Sequence, residues 1–410
     1  MVNIPKENLR IVVAGHIDHG KSTLIGRLLY ESNCLPQNVI EKTKKSEALG
    51  CKERFARVTD QLAEEQAGGI TIDTSEVRLK TTRRNYTLID TPGHKEFLKN
   101  MVTGTTRADA AILVIDASEG LLGQSYQHAY LIAMLGIRQI LVVVNKMDLK
   151  LYNRLRFQEL SEEITDFLRK LNIEIAAIVP VSAQHGENIT EKSKEMPWNT
   201  SLTLRKSLNY FSSQKNLTRL PLRLLVQCPY ITDSKITILG KVASGKLFEN
   251  HQLAFGPGRH TTKVLSIKVS NQKRVAAESG QSVALALEDA TNVERGQVGF
   301  DIHHPPLTTD YLIADLFWIG AEPLRPGGKI EILCGTLQCS AQIEKISKII
   351  DPASLKVICT NAKQLTDSQV GNVEIKLDSP ICVDPFEKIP ELGRFAIVQN
   401  GRIMGGGIIK

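Results

Sequence analysis

Eight residues near the start of the chain, Gly15-His16-Ile17-Asp18-His19-Gly20-Lys21-Ser22, constrain it more than any other stretch. They read Gly-x-x-x-x-Gly-Lys-Ser and follow the apolar, β-branched run Leu9–Ala14. Strand, glycine-rich turn and helix start in that order make a cradle of backbone N–H groups for the α- and β-phosphates of a nucleotide. Lys21 is placed to reach the β- and γ-phosphates, Ser22 is a candidate Mg²⁺ ligand, and Thr23 closes the loop. Lys21–Tyr30 continues as a helical pattern, with Leu24, Leu28 and Leu29 on one face.

The first half of the chain alternates short apolar runs with helical patterns. Arg10–Ala14, Tyr86–Asp90, Ala110–Asp116, Gln139–Asn145 and Ile175–Val181 read as buried parallel strands, with helices over Gln124–Leu135 and Phe157–Leu171. Thr74–Lys80 alternates strictly and suits an antiparallel edge strand. From about Leu217 helical patterns become scarce. Short alternating runs (Lys235–Val242, Lys263–Val269, Ser282–Leu287, Lys329–Leu333, Gln338–Ile346, Asn372–Leu377) are separated by Gly, Pro and Asn, as in antiparallel barrels. The expected fold is multidomain: a P-loop α/β doubly wound domain over 1–213, then two antiparallel β-barrels over 217–304 and 305–410. Asn209–Asn216 reads as a linker and His303–Pro306 as a hinge.

Composition closes off other classes. No apolar run is long enough to cross a bilayer, and the first ten residues lack an apolar signal region. Seven cysteines without C-x-x-C spacing argue against a disulfide framework or a zinc site. Cys334 and Cys339 read as small core hydrophobes. Cys34 and Cys51 lie in a polar segment where nothing predicts a lowered pKa. A cytoplasmic setting is expected. The net charge of +7 is mild and spread along the chain, which fits a solvated surface or a basic face for RNA. No membrane or DNA partner is expected. His303-His304 has no third metal ligand in view, and Gly405-Gly406-Gly407 reads as a final β-turn.

Further motifs name the nucleotide. Asp90-Thr91-Pro92-Gly93-His94 follows a strand ending in its aspartate, where a carboxylate holds Mg²⁺ through water and the Gly93 N–H meets a γ-phosphate. Asn145-Lys146-Met147-Asp148 closes another strand. There a carboxylate at Asp148 accepts two hydrogen bonds from the N1–H and 2-amino group of guanine, whereas adenine would leave it desolvated and unpaired. Asn145 steadies the loop, the Lys146 stem lies over the base, and Ser182-Ala183 adds a backbone N–H suited to guanine O6. Thr71, in Gly69-Ile70-Thr71-Ile72, has a hydroxyl that can complete the Mg²⁺ shell when a γ-phosphate is present. The expected ligands are GTP or GDP with Mg²⁺ held by Ser22, Thr71 and Asp90. His94, next to the sensor glycine, has the reach to position water.

The set GHIDHGKS, GITID, DTPGH, NKMD and SA resembles the translation-factor superfamily of GTPases along essentially the whole chain. Within it the chain is most similar to the GTPase (large) subunits of sulfate adenylyltransferase, a group close to elongation factor 1 alpha. LGI at Leu135–Ile137, EKSKEMPW, and AEPLRPG at Ala321–Gly327 carry that likeness, while HIDHGK follows elongation-factor wording. The resemblance implies that the β modules are the family's second and third domains and that His94 is its switch histidine, orienting the attacking water. It also implies a hydrophobic gate at Ile17 and Ile70, and a monovalent cation near Asp18 and Gly69. Catalytic roles then fall to Lys21, Thr71 and His94. Two clients stay open. One is an adenylyltransferase (ATP sulfurylase) small subunit, whose adenylyl transfer from ATP to sulfate is coupled to GTP hydrolysis. The other is RNA and the ribosome, served by delivery of aminoacyl-tRNA or a release factor. No second phosphate loop or adenylylation loop is present in the chain, so the first client would be a separate polypeptide.

Overall fold

The computed structural model describes residues 8–48, 55–56, 58, 75–90, 108–212, 217–232, 235–258 and 260–410. The chain divides into two compact units, the second beginning near residue 215.

In the first unit, β1 (Asn8–Gly15), β2 (Ser75–Lys80), β3 (Asn85–Asp90), β4 (Ala110–Asp116), β5 (Gln139–Asn145) and β6 (Glu174–Pro180) form one sheet in the order β2-β3-β1-β4-β5-β6. Every pairing is parallel except β2 with β3, so Ser75–Lys80 is the antiparallel edge strand its alternation predicted. Ile11, Val12 and Val13 are fully buried, as expected where helices cover both faces of a parallel sheet. Helices α1 (Lys21–Glu31), α2 (Gln37–Ala48), α3 (Gly123–Met134) and α4 (Arg154–Lys170) accompany the strands. The last starts three residues before the predicted Phe157. Its apolar face begins later in the sequence, but the Asn153 side chain caps it by accepting from the Arg156 N–H at 3.1 Å. Strand β6 ends one residue before the predicted Val181, although the Val181 N–H still donates to the Val144 carbonyl at 2.8 Å. The described part of the expected linker is tied down: Arg84 donates to the Phe211 carbonyl and the Ser212 N–H to Gln139.

The second unit holds two closed six-stranded antiparallel barrels. The first runs β10 (Gln252–Gly256), β15 (Val298–Asp301), β7 (Arg223–Thr232), β8 (Lys235–Ser244), β14 (Ser282–Leu287) and β11 (His260–Val269), and β11 pairs back to β10. The second runs β17 (Lys329–Cys334), β21 (Arg394–Gln399), β22 (Arg402–Ile409), β16 (Leu307–Trp318), β20 (Val370–Val383) and β18 (Leu337–Ile350), closed by β18 on β17. The expected multidomain architecture is the observed one. Closure removes the edges of both six-stranded rings; the short strands β12 (Gln272–Arg274) and β19 (Val357–Thr360) are appended to β11 and β18, and β9 (Lys246–Phe248) pairs with β13 (Ala276–Glu278).

Two details depart from expectation. Gly405, Gly406 and Gly407 are not a terminal turn but the middle of β22, paired on both sides with β21 and β16. A Cβ on Gly407 would stand 2.6 Å from the Asp315 carbonyl oxygen and 2.7 Å from the Phe395 ring, so a close sheet approach demands the missing side chain. His303–Pro306 is a bound turn rather than a free hinge. The His303 and His304 N–H groups donate to Asp301, and Arg223 donates to the His304 carbonyl at 2.8 Å. Cys334 is a core residue, its thiol pushed up to about 12 by burial, and half-buried Cys339 goes up to about 11 for the same reason. Cys51 lies outside the described residues. Among the described residues no helix is long and apolar enough to cross a membrane.

Candidate nucleotide-binding site

Strand register brings most of the predicted site residues to one edge of the sheet. Val13 of β1 stands beside Asp90 at the end of β3, Gly15 beside Val114 near the end of β4, and Asp116 beside Asn145 at the end of β5. Strand β1 lies between β3 and β4, so the carboxyl ends of the strands open a crevice where the order reverses, the ligand position in open α/β sheets.

Gly20 carries the turn into α1 with φ of +85°, and a Cβ there would meet the Asn145 amide nitrogen at 2.6 Å. Asp18 also takes a positive φ, 69°, and with Ile17 stands exposed on the outside of the loop. The Lys21 ammonium is buried and donates to the Gly15 and His16 carbonyls at 2.9 and 3.0 Å. Burial lowers its pKa, and the Asp90 and Asp18 carboxylates work against that shift. The Ser22 hydroxyl donates to Asp90 Oδ2 at 2.7 Å, joining the two described candidate Mg²⁺ ligands. Thr23 is half-buried in the first turn of α1.

The base-side residues converge on Asn145. Its Nδ2 donates to the His19 carbonyl at 2.9 Å, and its Oδ1 accepts from the Ala183 N–H at 3.0 Å. One buried amide therefore joins the phosphate loop to the Ser182-Ala183 loop. Asp148 is held by the Ser182 hydroxyl at 2.5 Å, with His185 Nε2 at 3.7 Å from its other oxygen. Lys146, at φ of 59°, places its ammonium 2.8 Å from Asp116. Burial pushes the Asp116 carboxyl up, but the bonds from Lys146 and Ser118 outweigh it and hold the carboxyl below its ordinary range.

The motifs did not single out several residues of this neighbourhood. Asp116 was visible only as an acidic end to an apolar strand. Arg27 had no signal: from α1 it donates to Glu31 at 2.5 Å and to the His185 carbonyl at 3.2 Å, and it lies 4.8 Å from the Phe55 ring centroid. Thr71, Gly93 and His94, with Gly69 and Ile70, lie outside the described residues.

Residues 6–246 match the elongation factor Tu GTP binding domain, and 311–410 the GTP-eEF1A C-terminal domain-like family. The chain is 33% identical over 411 residues to elongation factor 1-alpha of Methanosarcina barkeri, covering 98% of this chain and 97% of that protein. The chain belongs to the translation-factor family of GTPases. Within the family it is likewise 33% identical to elongation factor 1-alpha of Pyrococcus furiosus over 417 residues, 98% and 97% of the two chains. The Nanoarchaeum equitans protein of the same name is 33% identical over 418 residues, 99% and 96%. Solved chains of sup35 with GDP and with GMPPNP reach a TM-score of 0.46 at 22% identity, over 98% of this chain and 94% of theirs, a likeness too loose to transfer detail. The three elongation factor 1-alpha relatives bear a translation-factor name, and they lend no support to the sulfate-enzyme likeness.

Proposed function

We propose that this chain is a GTP-hydrolysing switch of the elongation factor 1-alpha type, serving delivery of aminoacyl-tRNA or a release factor to the ribosome in the cytoplasm. The observation that carries the nucleotide reading is the Asn145 amide, which holds the Ser182-Ala183 loop against the phosphate loop while Ser182 fixes the Asp148 carboxylate at the rim. A carboxylate so placed suits the two N–H donors of guanine, and failure to pair it costs on the order of several kcal/mol.

The remaining roles follow from side-chain chemistry. Ser22 and Asp90 fit a Mg²⁺ site, joined by Thr71 when a γ-phosphate is present. Mg²⁺, when bound, neutralises charge between β- and γ-oxygens. Lys21, already buried against loop carbonyls, turns its charge toward the same oxygens. Gly93 donates its N–H to the γ-phosphate, and His94 orients the attacking water behind Ile17 and Ile70. Asp18 and Gly69 suit a monovalent cation. No arginine of the motifs serves as a finger, so turnover of the isolated protein is slow.

The stretches that resemble the sulfate enzyme work inside the fold. Leu135 and Ile137 are buried, Met196 is in a core cluster, and Trp198 donates to the Tyr152 carbonyl at 2.9 Å. Leu324 pairs with Leu365 in the second barrel. Packing residues of this kind say little about a client, and it is the elongation factor 1-alpha relatives that support the translation partner. Fluorescent nucleotide titration tests the base: preference for guanosine over adenosine nucleotides is expected, and equal affinity would overturn it. Copurification tests the client, with ribosomes or charged tRNA expected and an adenylyltransferase subunit as the result that overturns it.

A further inference from the structure

We propose that His16, His19 and Glu119 form a binding site for a Zn²⁺-class divalent cation that ties the phosphate loop to the end of β4. One ligand atom from each side chain lies within 4.8 Å of the others. The His19 ring is fully buried, with Nδ1 at 3.1 Å from the Val114 carbonyl oxygen. A carbonyl only accepts, so Nδ1 carries the proton and Nε2 keeps its lone pair. That Nε2 is buried, has no hydrogen-bond partner among the described residues, and faces a Glu119 carboxylate oxygen at 3.3 Å.

Two acceptors at that distance repel unless a cation lies between them. His16 repeats the arrangement: its Nδ1 engages the Ile17 carbonyl, which leaves Nε2 as the ligand atom. An Nδ1–H bond to a backbone carbonyl is the support that fixes metal-binding imidazoles in tautomer and orientation.

The dimensions and chemistry agree. Donor atoms of a tetrahedral zinc site lie roughly 3.3 Å apart, the separation already present between His19 and Glu119. The Glu119 side chain is 45% exposed, which gives it room to close the remaining distance and leaves an entry path. Two imidazoles and one carboxylate favour Zn²⁺ and its neighbours over Mg²⁺ or Ca²⁺, which select oxygen-only sites. The nearby Asp116 carboxylate is answered by Lys146, so Glu119 supplies the charge the ion sees.

The site stands apart from the guanine reading, because it is tested without nucleotide. The full chain, stripped of metal and held in millimolar Mg²⁺, is titrated with Zn²⁺ by calorimetry. Saturation at one equivalent is expected, together with affinity lowered by more than about tenfold in Glu119→Gln and in His16→Gln. Glu119→Gln should keep the circular dichroism and GDP affinity of the parent. Failure to take up Zn²⁺, or equal uptake by the parent and both variants, would overturn the proposal.

Discussion

Asp116 shows how one buried charge is kept. It is 1% exposed, at the end of a fully apolar strand, and its carboxylate survives there because Lys146 and Ser118 bond to it. Its depressed pKa fixes the sign of the pH effect. The stabilisation is complete above the ordinary carboxylate pKa of about 4 and is lost as pH falls through the lower folded value. Lys146→Met should cost about 1–3 kcal/mol at pH 7, with the deficit shrinking in strong acid. Urea denaturation across pH measures this, and a deficit that ignores pH would exclude the carboxylate as its source. At the rim, Asp148→Asn should move nucleotide preference from guanine to xanthine, because the amide presents a donor where guanine offers donors. Unchanged GTP affinity would defeat the assignment. Motif wording found Asn145, Ser182 and Ala183, since each sits at a strand end with a distinctive neighbour. It could not find Arg27, whose partners are 158 residues away at His185 and in the Phe55 ring.

Helix α1 puts two effects in opposition. An exposed mid-helix Gly→Ala change gains about 1 kcal/mol from propensity. At Gly26, however, a Cβ would stand 2.1 Å from the Phe55 carbonyl oxygen and 3.2 Å from Val58 Cβ. The backbone contact decides the outcome, so Gly26→Ala should lower the melting temperature or release Phe55 and Val58 from α1. A stabilised variant would count against the contact. Elements built on uninterrupted apolar runs are readable in advance: β4 and β5 begin and end where their apolar runs do. Strands β7, β10, β15, β16, β21 and β22 were not. Pro229 and register shifts interrupt β7, and the three glycines of β22 copy a turn signal although their cause is close packing between β21 and β16. Local pattern cannot distinguish a glycine chosen for its conformation from one chosen for its size.

The two barrels form one compact unit. A buried Arg223 makes a bidentate pair with Asp384 of the other barrel at 2.6 and 3.1 Å, while its remaining Nη1 donates to the Leu222 and His304 carbonyls. Ala254, Val298 and Phe300 of the first barrel share an apolar cluster with Cys382, Ile389 and Leu392 of the second. Removing one partner leaves a buried charge, so Asp384→Ala should cost about 3–5 kcal/mol, whereas Arg223→Met with Asp384→Leu should cost less than either single change. Additive losses in a double-mutant cycle would show that the pair is not coupled. A pair of barrels welded in this way acts as a ruler. If a client grips both outer surfaces, the spacing it meets is the one that the Arg223–Asp384 pair and the shared apolar cluster hold.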